Sequence, residues 1–198
     1  MKPVLAIVLA LLLAPVPAAA AAAPDAPALP ADSIYRLDGT LTDQDGKDFA
    51  LADGRGRPRV VTMFYASCRF ICPLIVDSAK GIDRGLAPAE RERLGYLLVS
   101  IDPARDDPAA LKEVADTRGL PAPRWTLARA ETGTVRRLAA VLGVRYRELA
   151  DGEFNHNAVL VLLDRDGRIA ARTETLGAKP DPAFMAAVKA AVATPAAD

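Results

Sequence analysis

The sequence predicts an α/β fold in which a central β-sheet lies between layers of helices. Three features lead to this expectation. Two apolar runs have the composition of strands that are buried on both faces, a helical pattern separates them, and a turn-linked pair of strands precedes a final helix. Strands that alternate with helices are usually parallel, whereas strands joined by a tight turn are antiparallel. We therefore expect a three-layer sandwich with an N-terminal β-hairpin and a C-terminal β-hairpin plus helix.

The N-terminal hairpin and a βαβ unit come first along the chain. Short strand patterns at residues 35–37 and 40–42 are followed by Asp45-Gly46, a pair typical of a hairpin turn. The two buried strands are expected at residues 60–65 and 97–101. The segment between these strands has apolar residues at helical spacing, so the two strands should be parallel.

Cap and turn residues mark the remaining elements. Asp107 and Pro108 suit the cap and the first position of a helix. Gly143 suits the end of a helix, and Gly167 suits a hairpin turn. The expected bounds are a strand at 124–127, a helix at 134–142, strands at 158–163 and 169–173, and a last helix from 181 to 192. This order of elements is that of a thioredoxin-like domain.

The composition is that of an ordinary folded protein. A chain of 198 residues with 51% apolar and 25% charged residues suits one domain with a sizeable core. Basic and acidic residues number 25 each, so the formal net charge is zero. No nucleic-acid partner is expected, because there is no basic excess to neutralise phosphates and aromatic residues make up only 5%. The 2 cysteines are too few for a disulfide-rich mini-protein or a four-cysteine metal site.

The N-terminal segment has the pattern of a signal peptide, which we place at residues 1–23. Lys2 precedes an apolar run at residues 4–14, and the alanines at residues 18–23 suit cleavage. The run is shorter than the ~20 residues of a transmembrane helix. In a bacterial cell this signal would place the protein in the periplasm. An uncleaved anchor in the inner membrane, facing the periplasm, is the alternative, and only such a segment would associate the protein with a membrane.

Three further segments complete the predicted domain organisation. Residues 24–33 are rich in proline and alanine and should form a flexible tether between the signal peptide and the folded part. The thioredoxin-like domain is expected at residues 34–193. The last residues, 194–198, are expected to be disordered.

Cys68 and Cys72 lie between the first buried strand and the helix that follows it. Pro73 suits the first position of that helix, which would make Cys72 its cap. The positive end of a helix favours thiolate over thiol, and thiolate is the form that attacks disulfides and ligates metals. A structural disulfide is the alternative, but a loop of about five residues would contribute only roughly 2 kcal/mol in the chain-entropy treatment. We therefore expect a reactive or metal-ligating pair.

His156 is the only histidine of the sequence, and it directly precedes a predicted strand. In the predicted topology this position and the cysteine loop lie at the same edge of the sheet, so the imidazole would approach both sulfurs. Two thiolates and one imidazole suit copper, because sulfur selects Cu(I), imidazole also accommodates Cu(II), and three ligands leave zinc without its usual fourth. A histidine that only satisfies neighbouring polar groups is the alternative.

Three segments resemble the Sco/SenC family of copper chaperones. They are the strand and CxxxCP motif at residues 64–73, SIDPARDDP at residues 100–108, and NHNA at residues 155–158 with the LDRDG turn at residues 163–167. The resemblance covers nearly all of residues 35–192. Within the second segment, Asp102 and Arg105 are expected to pin a loop rather than to perform chemistry.

The resemblance implies a thioredoxin-like domain that binds copper outside the inner membrane and helps to assemble the binuclear copper centre of cytochrome c oxidase. Carried over to this sequence, the ligands of Cu(I) or Cu(II) are Cys68, Cys72 and His156. The implied partner is the copper-site subunit of cytochrome c oxidase or another exported cuproprotein. Other periplasmic copper chaperones are further expected partners.

Two positions differ from the family pattern and favour an alternative function. Family members commonly have an acidic residue between the cysteines, where this chain has Arg69 and no carboxylate, and an aspartate where this chain has Asn155. Both changes remove negative charge near a cation site, which favours thiol chemistry. The alternative is a periplasmic thiol–disulfide reductase that acts on cysteines of copper-site or other exported proteins. Cys68 would attack the target disulfide, Cys72 would resolve the mixed disulfide, and the histidine would be dispensable.

Overall fold

The computed structural model describes residues 28–68, 71–177 and 179–193. The predicted signal peptide, the first residues of the predicted tether and the C-terminal segment at 194–198 lie outside these ranges. Leu29, near the start of the described part, packs against the hydrophobic core. Across the described ranges, no helix is long and apolar enough to cross a membrane.

Nine strands and five α-helices make up the described part of the chain. The strands are β1 Thr40–Asp43, β2 Asp48–Ala50, β3 Arg59–Phe64, β4 Gly95–Ser100, β5 Trp125–Ala130, β6 Tyr146–Glu148, β7 Phe154–His156, β8 Leu160–Leu163 and β9 Ile169–Thr173. The helices are α1 Ile71–Arg84, α2 Pro88–Arg91, α3 Pro108–Arg118, α4 Thr132–Leu142 and α5 Pro182–Ala193.

A seven-stranded mixed sheet forms the centre of the fold, with the strand order β2-β1-β5-β4-β3-β8-β9. The central strands β3, β4 and β5 are parallel, and the strands at both edges join in antiparallel register. The two predicted buried strands are confirmed as β3 and β4, which pair with Val61 opposite Leu97. The hairpin β1–β2 and the hairpin β8–β9 followed by α5 confirm the two predicted ends of the domain.

The first predicted strand, residues 35–37, is wrong: the segment Ile34–Arg36 forms a 3-10 helix. Ser33 caps this helix by accepting a hydrogen bond from the Tyr35 amide at 3.1 Å, and its hydroxyl donates to the Asp166 carbonyl at 2.5 Å. The Tyr35 ring lies so close to Gly167 that a side chain there would come within 2.5 Å of it. Contacts with the distant β8–β9 turn therefore decide the conformation of this segment.

A second, two-stranded sheet consists of β6 and β7 and lies apart from the central sheet. This hairpin was not predicted from the sequence, and His156 was expected in front of a strand. In the structure His156 is the last residue of β7 and pairs with Tyr146. Strand β8 begins only at Leu160, so a short connection separates the hairpin from the sheet.

Candidate metal centre

The segment that follows the buried strand β3 carries both cysteines, and the separate β6–β7 hairpin carries the histidine. Cys68 lies in the loop after β3, Cys72 lies in α1, and His156 ends β7. One potential ligand atom from each of the three side chains lies within 4.8 Å of the others. The structure therefore brings together the three residues that the sequence singled out, and their role as metal ligands stays a prediction.

Backbone amides of the cysteine loop face both sulfur atoms. The Cys72 amide donates to Cys68 Sγ at 3.4 Å, and the Tyr65 amide donates to Cys72 Sγ at 3.4 Å. The sequence predicted that Cys72 would cap this helix. In the structure α1 already includes Ile71, so Cys72 lies in its first turn. The two sulfurs are not joined by a disulfide in this structure.

Both cysteines are buried in the core, with 9% of Cys68 and 5% of Cys72 exposed. Burial raises the pKa of the Cys72 thiol, and the hydrogen bond from the Tyr65 amide only partly offsets this effect. The expectation that the helix end would favour thiolate is therefore wrong for Cys72, because removing a charged sulfur from water costs more than the helix end returns. A metal ion that binds here has to displace the Cys72 proton.

The histidine is held in the tautomer that leaves one nitrogen available for a metal. His156 Nδ1 lies 3.1 Å from the Asn157 carbonyl oxygen. Because a carbonyl oxygen only accepts hydrogen bonds, Nδ1 carries the proton and Nε2 presents its lone pair, 4.0 Å from Cys72 Sγ. Burial also lowers the pKa of His156, which favours the neutral ring. Neutral imidazole is the form that ligates metals.

The structure describes one of the two positions that differ from the Sco/SenC pattern. Asn155 is exposed and pairs with Arg147 in the hairpin, so it is not part of the cluster of sulfurs and imidazole. Successive side chains of a strand point to opposite sides, which is why Asn155 and His156 diverge. Arg69 lies outside the described residues.

Tyr65 connects the cysteine loop to the histidine hairpin, a role that was not predicted from the sequence. Its hydroxyl donates to Glu153 Oε2 at 2.9 Å, and its ring makes edge contacts with the Phe154 and His156 rings at centroid distances of 5.4 and 5.9 Å. Burial raises the pKa of the Tyr65 hydroxyl, so it remains a donor. The only sequence signal was the position of Tyr65 within the CxxxCP segment, because Glu153 is 88 residues away along the chain.

A pocket of about 440 Å³ opens beside the two sulfurs. Apolar side chains from β3, α1 and α3 form much of its lining, including Phe64, Val76 and Val114, and Arg118 contributes a charged group. His156 is not among the lining residues. A molecule in this pocket would therefore meet the sulfurs without displacing the imidazole.

Asp106 is a buried carboxylate that supports the cysteine loop. It accepts hydrogen bonds from the Ser100 hydroxyl at 2.5 Å and from the Ala66 amide at 3.0 Å. Burial raises the pKa of the Asp106 carboxyl, although these two hydrogen bonds oppose the effect.

The variant Asp106→Asn is expected to lose less stability than the wild type as the pH rises. The folded protein holds the Asp106 proton more tightly than the unfolded chain does, so this group stabilises the fold most below its ordinary pKa of 3.8. That contribution is lost as the pH rises through the raised pKa, by about 1.4 kcal/mol for each pH unit by which folding raises the pKa. Denaturant unfolding of both proteins at several pH values measures the difference. A wild-type advantage that grew with pH would contradict this expectation.

Comparisons with known proteins agree with the fold. A model of the protein family described as SCO1/SenC matches residues 32–193. A protein from Stutzerimonas stutzeri described as a "Putative copper-binding protein" is 32% identical over 72 residues, which are 36% of this chain and 35% of that relative's own length. The alignment thus spans about a third of that protein.

Solved structures similar to this chain include two from the Sco group. ScoI of Bradyrhizobium japonicum, solved with copper bound, has a TM-score of 0.64 and 24% identity over 77% of this chain and 96% of its own. BsSco has a TM-score of 0.66 and 20% identity over 83% of this chain and 97% of its own. It is described as having a disulfide switch and as a member of the Sco family of cytochrome c oxidase assembly proteins. These likenesses confirm the predicted thioredoxin-like fold class.

Proposed function

The chain belongs to the SCO1/SenC family, and from this membership we propose that it is a metallochaperone that binds one copper ion through Cys68, Cys72 and His156. The observation that carries the proposal is the convergence of two sulfurs and one imidazole nitrogen within 4.8 Å. Sulfur ligands select Cu(I), and imidazole also accommodates Cu(II). The copper bound to the similar ScoI structure supports the same cargo here.

The recipient that we propose is the copper-site subunit of cytochrome c oxidase or another exported cuproprotein. The description of BsSco as an oxidase assembly protein supports this choice. Other periplasmic copper chaperones are the proposed donors. We place the protein in the periplasm after cleavage of residues 1–23, with an inner-membrane anchor as the alternative.

The histidine and the buried cysteine have different roles in binding and releasing copper. Burial lowers the pKa of His156 and favours the neutral imidazole, which presents Nε2 towards Cys72 Sγ. The imidazole therefore needs no change of tautomer to bind copper. The buried thiol of Cys72 has to release its proton when copper binds, and protonation of this sulfur helps release copper to a recipient. The pocket beside the sulfurs provides the space in which a recipient's side chain can approach.

Copper titration of the purified protein tests the proposal. We expect the reduced wild type to bind one equivalent of Cu(I), and the Cu(II) form to show a thiolate-to-copper charge-transfer band. The variant His156→Ala should bind copper at least tenfold more weakly, because even partners that only orient a ligand contribute about 10–100-fold to metal affinity. It should also lose the nitrogen hyperfine coupling in the Cu(II) electron paramagnetic resonance spectrum. Equal affinity and an unchanged spectrum would remove the histidine from the site.

A second candidate function is the reduction of disulfides, and the position of Cys68 and Cys72 beside an open pocket favours it. Cys68 is the more exposed of the two and is suited to attack a target disulfide, which releases one target thiol and leaves a mixed disulfide. Cys72 then attacks Cys68 Sγ, which releases the second target thiol and leaves a Cys68–Cys72 disulfide. Two electrons pass to the target, and a thiol reductant has to restore the dithiol.

Turnover with an insulin disulfide and dithiothreitol as reductant tests this second function. We expect a reductase to lose turnover in Cys68→Ser, to accumulate the mixed disulfide in Cys72→Ser, and to keep its rate in His156→Ala. Activity that survived both cysteine substitutions would exclude this reaction, whereas loss of activity in His156→Ala would contradict the dispensable role of the imidazole.

A further inference from the structure

We propose that Arg105 and Tyr65 are positioning residues that clamp the β6–β7 hairpin to the domain and thereby set the place of His156 beside the two sulfurs. Asp102 holds Arg105 in this role. The inference deepens the proposed copper function and rests on it for its consequence, but the clamp itself is a property of the protein without metal.

The position of the histidine depends on contacts between the hairpin and the rest of the domain. Within the part of the chain that the structure describes, the strands β6 and β7 form their own sheet and share no strand pairing with the central sheet. An isolated two-stranded hairpin is marginally stable in water. The cysteines, in contrast, are held by the end of β3 and by α1 in the core. The two halves of the ligand set are therefore fixed by different parts of the fold.

Arg105 forms the first half of the clamp at the turn of the hairpin. Its Nη2 donates to the Gly152 carbonyl, and its guanidinium carbon lies 5.8 Å from the centre of the Phe154 ring. Gly152 has a φ of +81°, and a side chain there would lie 3.1 Å from Arg105 Nη1. Glycine thus allows both the turn and the close approach of the guanidinium.

Asp102 fixes the direction of the Arg105 side chain. Its carboxylate accepts a hydrogen bond from Arg105 Nε, and 6% of the Asp102 side chain is exposed while 45% of the Arg105 side chain is exposed. The buried carboxylate and the Gly152 carbonyl are therefore bridged by one planar guanidinium. A lysine cannot donate in two fixed directions from a single plane in this way. Arg105 therefore acts as a bridge between these two groups through directed hydrogen bonds, in addition to the attraction between its charge and that of Asp102.

Tyr65 forms the second half of the clamp, on the cysteine side. Its hydroxyl donates to Glu153 Oε2 at 2.9 Å and accepts from the Phe154 amide at 3.4 Å. Its own amide donates to Cys72 Sγ, and its ring touches the His156 ring edge to face. One residue thus contacts both the sulfur and the imidazole halves of the ligand set.

A cavity of about 400 Å³ lies next to the clamp, between the loop after β4 and the hairpin. Its lining includes Asp102 and Pro103 from the loop, and Tyr146 and Phe154 from the hairpin. The hairpin is therefore not packed on the domain along its whole length. Tyr146 and Phe154 pack against the core, and the discrete contacts of Arg105 and Tyr65 add to this attachment. Loss of the discrete contacts should let His156 move away while both cysteines stay in place. A site reduced from three ligands to two would release its copper more readily.

The variant Arg105→Ala tests the clamp, with Arg136→Ala as the matched control. Arg136 is an exposed arginine that lines the same cavity. In the metal-free protein we expect Arg105→Ala to speed amide hydrogen exchange in residues 146–156 at least tenfold. The same variant should shift the ring resonances of His156, whose assignment is unambiguous because the chain has 1 histidine. The exchange of β3 and β4 should not change. Arg105→Lys should fall between the wild type and Arg105→Ala, and Arg136→Ala should match the wild type.

Copper binding provides the second measurement on the same variants. Arg105→Ala should bind Cu(II) about tenfold more weakly or worse, with weaker nitrogen hyperfine coupling and a retained sulfur charge-transfer band. Tyr65→Phe keeps the ring, loses the hydrogen bond to Glu153, and should speed exchange at residues 153–154. Hydrogen exchange and His156 resonances in both Arg105→Ala and Tyr65→Phe that matched the wild type would overturn the clamp. A wild type that bound no copper would overturn the proposed function instead, because the metal-free measurements would still decide about the clamp.

Discussion

Replacement of either cysteine by serine is expected to abolish tight binding of Cu(I). Serine has nearly the same volume as cysteine, but its hydroxyl is a hard and weakly acidic ligand that Cu(I) does not select. The remaining set would be one sulfur and the imidazole of His156. The loss should therefore exceed the ~10–100-fold typical of a residue that only supports a ligand. Competition with a chromophoric Cu(I) chelator measures the affinity of Cys68→Ser, Cys72→Ser and the wild type.

The neighbouring Ser67 offers a matched control for this experiment. Ser67 is exposed in the same loop and is not part of the cluster of sulfurs and imidazole. The variant Ser67→Ala should keep the wild-type affinity for Cu(I). Thermal unfolding of all variants separates loss of the ligand from loss of the fold, because both cysteines belong to the core. Wild-type affinity in a correctly folded Cys72→Ser would exclude Cys72 as a ligand and leave the proposed site without its buried sulfur.

The variant Leu98→Ala is expected to have the largest effect on stability. Leu98 lies in the central strand β4 between β3 and β5, and none of its surface is exposed. Truncation of a buried leucine removes apolar contacts and leaves a cavity, which costs about 2–5 kcal/mol. For a domain of this size we expect the melting temperature to fall by roughly 2–4 °C for each kcal/mol. Denaturant unfolding of the metal-free protein measures the change in free energy.

Leu74 allows the same truncation to be made at the surface. Leu74 lies in α1 and is 48% exposed, so Leu74→Ala removes the same atoms with little change in buried area. Surface substitutions of this kind usually change the free energy of unfolding by less than about 0.5 kcal/mol. Equal effects of the two truncations would mean that the core around β4 does not stabilise the fold in the way that its burial indicates.

The elements that the sequence predicted well are those with long and regular patterns. The strands β3 and β4 are continuous apolar runs, and every residue of β4 is buried. Burial on both faces requires apolar residues at successive positions, so it can be recognised from the composition. Helix α3 begins as predicted, with the Asp107 side chain accepting from the Ala110 amide and Pro108 at the first position. These signals are local, because the residues that produce them are neighbours in the chain or on one face of one element.

Short segments were harder to predict, because distant residues decide their conformation. The 3-10 helix at Ile34–Arg36 had the composition of a strand, but the Tyr35 ring packs under the turn at Gly167. The hairpin β6–β7 has three residues in each strand, which is too few for a clear alternation of apolar and polar positions. Arg105 and Tyr65 contact this hairpin from positions 47 and 88 residues away.

The sequence by itself determined the α/β order of elements and the position of Cys68 and Cys72 after a buried strand. It also indicated His156 as the third potential ligand. These depend on residue identity and local pattern, which can be read without coordinates. Only the tertiary structure decided that Cys72 is a buried thiol in the helix and that His156 presents Nε2 towards it. It also decided that Arg105 and Tyr65 contact the hairpin that carries the histidine. Burial, pKa and hydrogen-bond partners are properties of the surroundings, and those surroundings come from segments that are far apart along the chain and meet only when it folds.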